Sequence, residues 1–65
     1  MLWMKRRDLL IQLAFIAETR GVPITRIRGR GGHDVYRVGD VQLTIPRHNE
    51  ISEHTAQSIL KRASR

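Results

Sequence analysis

Apolar residues recur along this chain with two different periods, and the switch between them divides it into elements. From Asp8 to Arg20 the residues Leu9, Leu10, Leu13, Ala14, Ile16 and Ala17 return at three- and four-residue spacings, which predicts a helix with a broad buried face. Asp8 puts negative charge near its start, and Gly21 followed by Pro23 stops it. Asp8, Gln12, Glu18 and Thr19 take the opposite side. Ile11 and Phe15 break the pattern: four residues apart, they touch each other on the helix surface, yet they fall in the polar sector. Either Leu2 and Trp3 fold back over them, or they form a patch that awaits a protein partner. The pattern leaves both open.

Beyond Pro23 the period drops to two. Ile24 to Arg28 reads as a short strand, and the glycine-rich stretch Arg28-Gly29-Arg30-Gly31-Gly32-His33 reads as a loop. His33 to Val38 and Val41 to Ile45 are two further strands joined by Gly39-Asp40, a two-residue hairpin signal. That turn sets Val38 opposite Val41, Tyr36 opposite Leu43 and Asp34 opposite Ile45. Tyr36, Val38, Val41, Leu43 and Ile45 then face the core, while His33, Val35, Arg37, Gln42 and Thr44 face outward. With Thr25 and Ile27 pointing inward, Arg26 and Arg28 join that outer face. Pro46 to Ile51 leaves the sheet as a loop, because proline cannot continue a central strand.

Ser52 is a fair N-cap with Glu53 beside it, and Ala56, Ile59, Leu60 and Ala63 follow at the spacing of an amphipathic helix. Lys61, Arg62 and Arg65 gather at its C-terminus. The order is αβββα: an α+β fold with two helices on one face of a three-stranded antiparallel sheet. Residues 1–65 form one domain.

Charge narrows the class of partner. Lys and Arg number 12 against 6 for Asp and Glu, a net charge of +6, which favours a polyanion and nucleic acid first. A chain of 65 residues buries only roughly 60% of the surface that its unfolded form exposes, so the core is small. Without cysteine there is neither a disulfide framework nor a thiolate zinc site. No apolar run approaches the length of a membrane span, and Lys5-Arg6-Arg7 follows the apolar residues rather than preceding them as in a signal peptide. The expectation is a cytoplasmic protein with no membrane partner.

The candidate chemistry gathers at the glycine stretch. Three glycines in four positions, at 29, 31 and 32, give a backbone that admits positive φ and close approach of a ligand. His33 at its exit is a proton carrier near neutrality. Arg26, Arg28, Arg30 and Arg37, with Arg47, are candidates to cradle phosphates beside Gly31 and Gly32. His48 is read as holding the loop from Pro46 to Ile51 in shape, and His54 as exposed. The three histidines are scattered, which makes a poor zinc site, so no metal or other cofactor is expected.

Four ordered segments resemble HicA-type toxins, the small ribonucleases of toxin–antitoxin pairs. They are Met4-Lys5-Arg6-Arg7-Asp8-Leu9-Leu10, Gly31-Gly32-His33, Ile45-Pro46-Arg47-His48-Asn49-Glu50-Ile51, and Thr55-Ala56-Gln57-Ser58-Ile59-Leu60-Lys61-Arg62-Ala63. The resemblance implies a fold like the double-stranded-RNA-binding domain and metal-independent cleavage of messenger RNA by a single histidine after the first strand, the position of His33. It also implies neutralisation by a HicB-type antitoxin, for which Ile11, Phe15 and His33 are the candidate contacts. The alternative is a small basic module that binds RNA by shape and charge and cuts nothing.

Overall fold

The computed structural model describes residues 2–64. Its elements are β1 (Trp3–Lys5), α1 (Arg6–Arg20), β2 (Ile24–Arg30), β3 (His33–Val38), β4 (Val41–Pro46), β5 (Glu50–Ser52) and α2 (Glu53–Ala63). Strands β2, β3 and β4 form an antiparallel sheet in that order, and β1 pairs with β5 in a separate two-stranded sheet. The αβββα frame is therefore present, with one small strand pair added. Met1 and Arg65 lie outside the described residues.

Helix α1 begins at Arg6 rather than Asp8, and its buried stripe is narrower than the sequence pattern predicts. Leu9, Leu13 and Ala17 are buried, Leu10 and Ile16 are half-buried, and Ala14 is exposed. A helix seated on a sheet needs only one stripe, and Ala14 lies a quarter-turn or more off it. Arg6 and Arg20 lie at the two ends of that same stripe. Each directs its guanidinium to a carbonyl: Arg6 Nε donates to Pro46 at 2.9 Å and Arg20 Nη1 to Ala63 at 2.9 Å. The helix ends at Gly21 in the left-handed region, where the Val22 N–H donates to the Ala17 carbonyl at 2.9 Å.

Leu9 and Leu13 meet Val38, Leu43 and Ile45 of the sheet and Ala56, Ile59, Leu60 and Ala63 of α2 in one core. The β3–β4 register is the expected one, with Val38 opposite Val41, Tyr36 opposite Leu43 and Asp34 opposite Ile45. Ser52 caps α2, its hydroxyl accepting from the Thr55 N–H at 3.3 Å. No helix among the described residues is long and apolar enough to cross a membrane.

Three expectations are corrected. The segment from Pro46 to Ile51 is not all loop, since Glu50–Ser52 pairs with Trp3–Lys5. Three-residue strands are too short to display a period. Met4 lies opposite Ile51 in this pair, and the two close one end of the core. Strand β2 runs to Arg30, so the glycine loop shrinks to a two-residue turn, Gly31-Gly32. Within β2, Thr25 faces outward opposite Arg37 and Arg26 faces the helix side opposite Tyr36, the reverse of the expected phase. A β-bulge at Ile27 then flips the phase, so that Arg28 and Arg30 do face outward.

The question of Ile11 and Phe15 resolves toward exposure. Strand β1 is committed to β5, Trp3 is itself 54% exposed, and Ile11 and Phe15 are 60% and 70% exposed. Leu13→Ala should therefore cost about 2–5 kcal/mol of stability, whereas Phe15→Ala should change it by no more than about 0.5 kcal/mol. Urea unfolding of the two variants tests this; equal losses would return Phe15 to the core.

Candidate nucleic-acid interface

The sheet has an outer face without helices, and its rows follow from strand register. Arg30 stands opposite His33, Arg28 opposite Val35 and Thr25 opposite Arg37. On the other side of β3, Pro46, Thr44 and Gln42 flank the same three positions. His33, Arg28, Arg30 and Arg37 are all exposed on this face. Directly opposed side chains have Cβ atoms about 5 Å apart, so Arg30 is within reach of His33, with Arg28 on the diagonal. Arg37 lies four residues along β3, roughly 13 Å away at the strand rise. Among the described residues, none of Arg28, Arg30 and Arg37 is within ion-pair distance of a carboxylate.

The turn that delivers His33 is tight. Gly31 has φ 59, a conformation that glycine adopts without the penalty of a side chain. Nothing lies within 4 Å of where a Cβ would stand on Gly31 or Gly32, so the backbone of the turn is open to an approaching strand. The bend that follows β4 is fastened to it, since the Arg47 N–H donates to the Gly32 carbonyl at 2.8 Å.

On the helix side of the same end of the sheet lies an arginine cluster around Asp34. This carboxylate is buried, at 6% exposure, and faces inward opposite both Gly29 and Ile45. Its Oδ2 accepts from Arg6 Nη2 at 2.6 Å. Its Oδ1 accepts from Arg47 Nε at 2.9 Å and from Arg26 Nη2 at 3.2 Å, with Arg47 Nη2 also at 2.9 Å. Gly29 has a steric reason to be glycine here. A Cβ at that position would collide with the guanidiniums of Arg47 and Arg26 and with the Asp34 carboxylate. Close approach, and not loop flexibility, is what this glycine provides.

The residues expected to grip phosphate thus divide between two surfaces. Arg28, Arg30 and Arg37 share the outer face with His33, whereas Arg26 and Arg47 belong to the Asp34 cluster. His48 is exposed in the bend at 47–49, which is held by backbone bonds from Arg47 to Gly32 and from Arg6 to Asn49. His54 is exposed in the first turn of α2. Ile11 lines an open groove with Leu10 and Ala14, rimmed by Lys5, Arg6 and Arg7. His33 projects from the sheet face turned away from α1, so Ile11 and Phe15 do not share a surface with it.

Asp34 and Arg6 are the two site residues that hydrophobic patterning did not single out. The signal was present, because the register that sets Asp34 opposite Ile45 also puts it on the core face. A buried carboxylate needs ionic or hydrogen-bonding partners, and Arg6 lies on the buried stripe of α1.

Hydrogen bonding from Arg47 holds the Asp34 carboxyl below the ordinary aspartate range; burial opposes this, and Arg26 reinforces it. A carboxyl lowered in the folded state stabilises the fold above its unfolded pKa of about 3.9, and that stabilisation is lost as pH falls through the folded value. Asp34→Asn should therefore be clearly less stable than the parent near neutrality. The gap should narrow steadily as pH drops below about 4. Thermal unfolding over a pH series reads both limbs, and a gap independent of pH would remove the ionised carboxylate from the account.

Against protein-family models, curated proteins and solved structures the chain finds no match, and its function has to come from its own residues.

Proposed function

We propose that this protein is an endoribonuclease of the HicA toxin type, cutting messenger RNA with His33 as its acid–base group. The observation that carries this reading is an exposed histidine beside an open glycine turn, opposite Arg30 and diagonal to Arg28. The αβββα order and a histidine directly after the first strand of the main sheet support the same reading.

In the proposed reaction His33 takes the proton of a ribose 2′-OH. The 2′ oxygen attacks the adjacent phosphorus in line, the bond from phosphorus to the 5′ oxygen breaks, and that oxygen takes a proton from solvent. The products are a 2′,3′-cyclic phosphate and a 5′-hydroxyl end. Charge building on the phosphoryl oxygens is met by Arg30 and Arg28, which have no carboxylate partner to compete among the described residues. A HicB-type antitoxin is the proposed partner, and a surface of net charge +6 favours an acidic one. The proposed site of action is the cytoplasm.

Total RNA incubated with the pure protein in EDTA, followed by end-group analysis, tests the reading. Cleavage should leave cyclic phosphate ends, and His33→Ala should lower the rate by about 10²–10⁴-fold while RNA affinity stays near the parent value. A His33→Ala protein that cuts at the parent rate sinks the catalytic assignment. A parent protein that binds RNA and never cuts it would leave the non-catalytic RNA-binding module.

A further inference from the structure

We propose that Asp34 is a positioning residue that holds Arg26 and Arg47 as a preformed clamp for a phosphodiester of RNA. The clamp lies on the helix side of the hairpin tip, across the sheet from His33, and this inference rests on the ribonuclease reading of the outer face.

The first ground is charge. Three guanidiniums converge on one carboxylate, which leaves a local surplus of two positive charges. A pair formed only to hold the fold needs one arginine, and each further cation adds repulsion. The second ground is unequal burial. Arg6 is the inner member, with a side chain 21% exposed and its Nε spent on the Pro46 carbonyl. Arg26 and Arg47 are 51% and 43% exposed, and the contacts with Asp34 use only Nη2 of Arg26 and Nε and Nη2 of Arg47, which leaves further donors on each guanidinium.

The third ground is rigidity. Arg26 stands on β2, Arg47 is tied to the turn through its N–H on the Gly32 carbonyl, and both reach Asp34 Oδ1 over the bare backbone of Gly29. Planar guanidiniums held at fixed angles suit the oxygens of a phosphate better than mobile surface arginines do. Finally, Asp34, on which both guanidiniums converge, is one residue row from the Arg30–His33 pair, so a single strand passing the edge of β2 can meet both.

Charge and positioning make opposite forecasts for one substitution. Asp34→Asn raises the net charge from +6 to +7, and so does Asp40→Asn in the turn at the far end of the sheet. If the arginines act only as charge, both changes tighten RNA binding. If Asp34 positions them, Asp40→Asn binds as the parent or tighter, while Asp34→Asn binds about tenfold more weakly, the effect of one good hydrogen-bonded ion pair. Its salt dependence should also flatten by roughly 0.7 in log–log slope for each phosphate that is no longer neutralised.

The probe is a fluorescein-labelled single-stranded RNA carrying 2′-O-methyl groups, which His33 cannot cleave, read by anisotropy over a salt series. Circular dichroism checks the fold of each variant. Should Asp34→Asn fail to fold, the double change Arg26→Lys, Arg47→Lys keeps the charge and removes the planar forks, and the same weakening is expected. The proposal is overturned if folded Asp34→Asn binds as tightly as Asp40→Asn, or if the double lysine variant matches the parent. Such a result, with the parent still binding and cutting RNA, leaves the ribonuclease reading intact. A parent that does not bind the probe overturns the clamp; one that also leaves total RNA uncut overturns both and turns attention to an acidic protein as the anion.

Discussion

The ion cluster on Asp34 is the interaction on which the arrangement of this protein depends. It joins four separate parts of the chain: Arg6 at the start of α1, Arg26 on β2, Asp34 on β3 and Arg47 after β4. The apolar core alone does not do this. It lies between the helices and β3–β4, and from Thr25 onward β2 is exposed along its whole length. An edge strand without a buried face is held by its ladder and by whatever crosses its end. Here Arg26 of β2 and Arg47 from beyond β4 both bind Asp34 of β3, over a glycine that leaves room for them. Such a cluster gains little over a well-packed apolar contact, but removing Asp34 would leave Arg6, its inner arginine, without its carboxylate. Arg6 and Asp34 suffice for stability, and the two outer arginines are better explained by orientation.

Much of the fold was legible because it follows from periodicity. The β3–β4 hairpin is the clearest case: Gly39-Asp40 flanked by apolar alternation leaves one workable register, since a slip of one residue would turn Leu43 and Ile45 to solvent. Helix α2 was equally clear, as its four buried residues fall at the helical spacing behind a serine cap. The outer position of His33 followed from the same register. What could not be read was geometry that breaks a period. The bulge at Ile27 shifts β2 by one residue, and nothing in Ile-Thr-Arg-Ile-Arg announces it. Simple alternation therefore sends Arg26 to the outer face, where the structure turns it to the helix side; it places Arg28 correctly, and it leaves Arg30 in a loop that is in fact strand.

Asp34, Arg6 and the β1–β5 pair escape periodicity for other reasons. Asp34 lies on the core face by simple alternation, yet hydrophobic patterning counts apolar positions and passes over a carboxylate among them. The same habit hides Arg6, which stands on the buried stripe of α1 but reads as part of a basic run. Both become visible when polar residues at core positions are asked for their partners. The β1–β5 pair was hidden differently, since its pairing of Trp3 with Ser52 spans most of the chain and leaves no local trace.

Two kinds of arginine now stand at the hairpin tip, and their physical differences suit different tasks. Arg28 and Arg30 on the outer face have no carboxylate neighbour among the described residues, so their side chains keep their rotamer freedom until something binds. Such groups attract a polyanion from a distance and give up part of the gain to ordering when it docks. Arg26 and Arg47 have been ordered already by Asp34 during folding, so a phosphate that reaches them meets donors in place. In the proposed reading attraction falls to the mobile set and retention to the fixed one, with His33 at the start of β3 beside the mobile set. Because the turn is two residues long and fastened to Arg47, the backbone of His33 keeps a constant relation to the fixed set. In the proposed reaction, a histidine on a long flexible loop would have to find its place at every turnover. The short Gly31-Gly32 turn is thus a device for holding geometry, the opposite of what a run of glycines in a sequence first suggests.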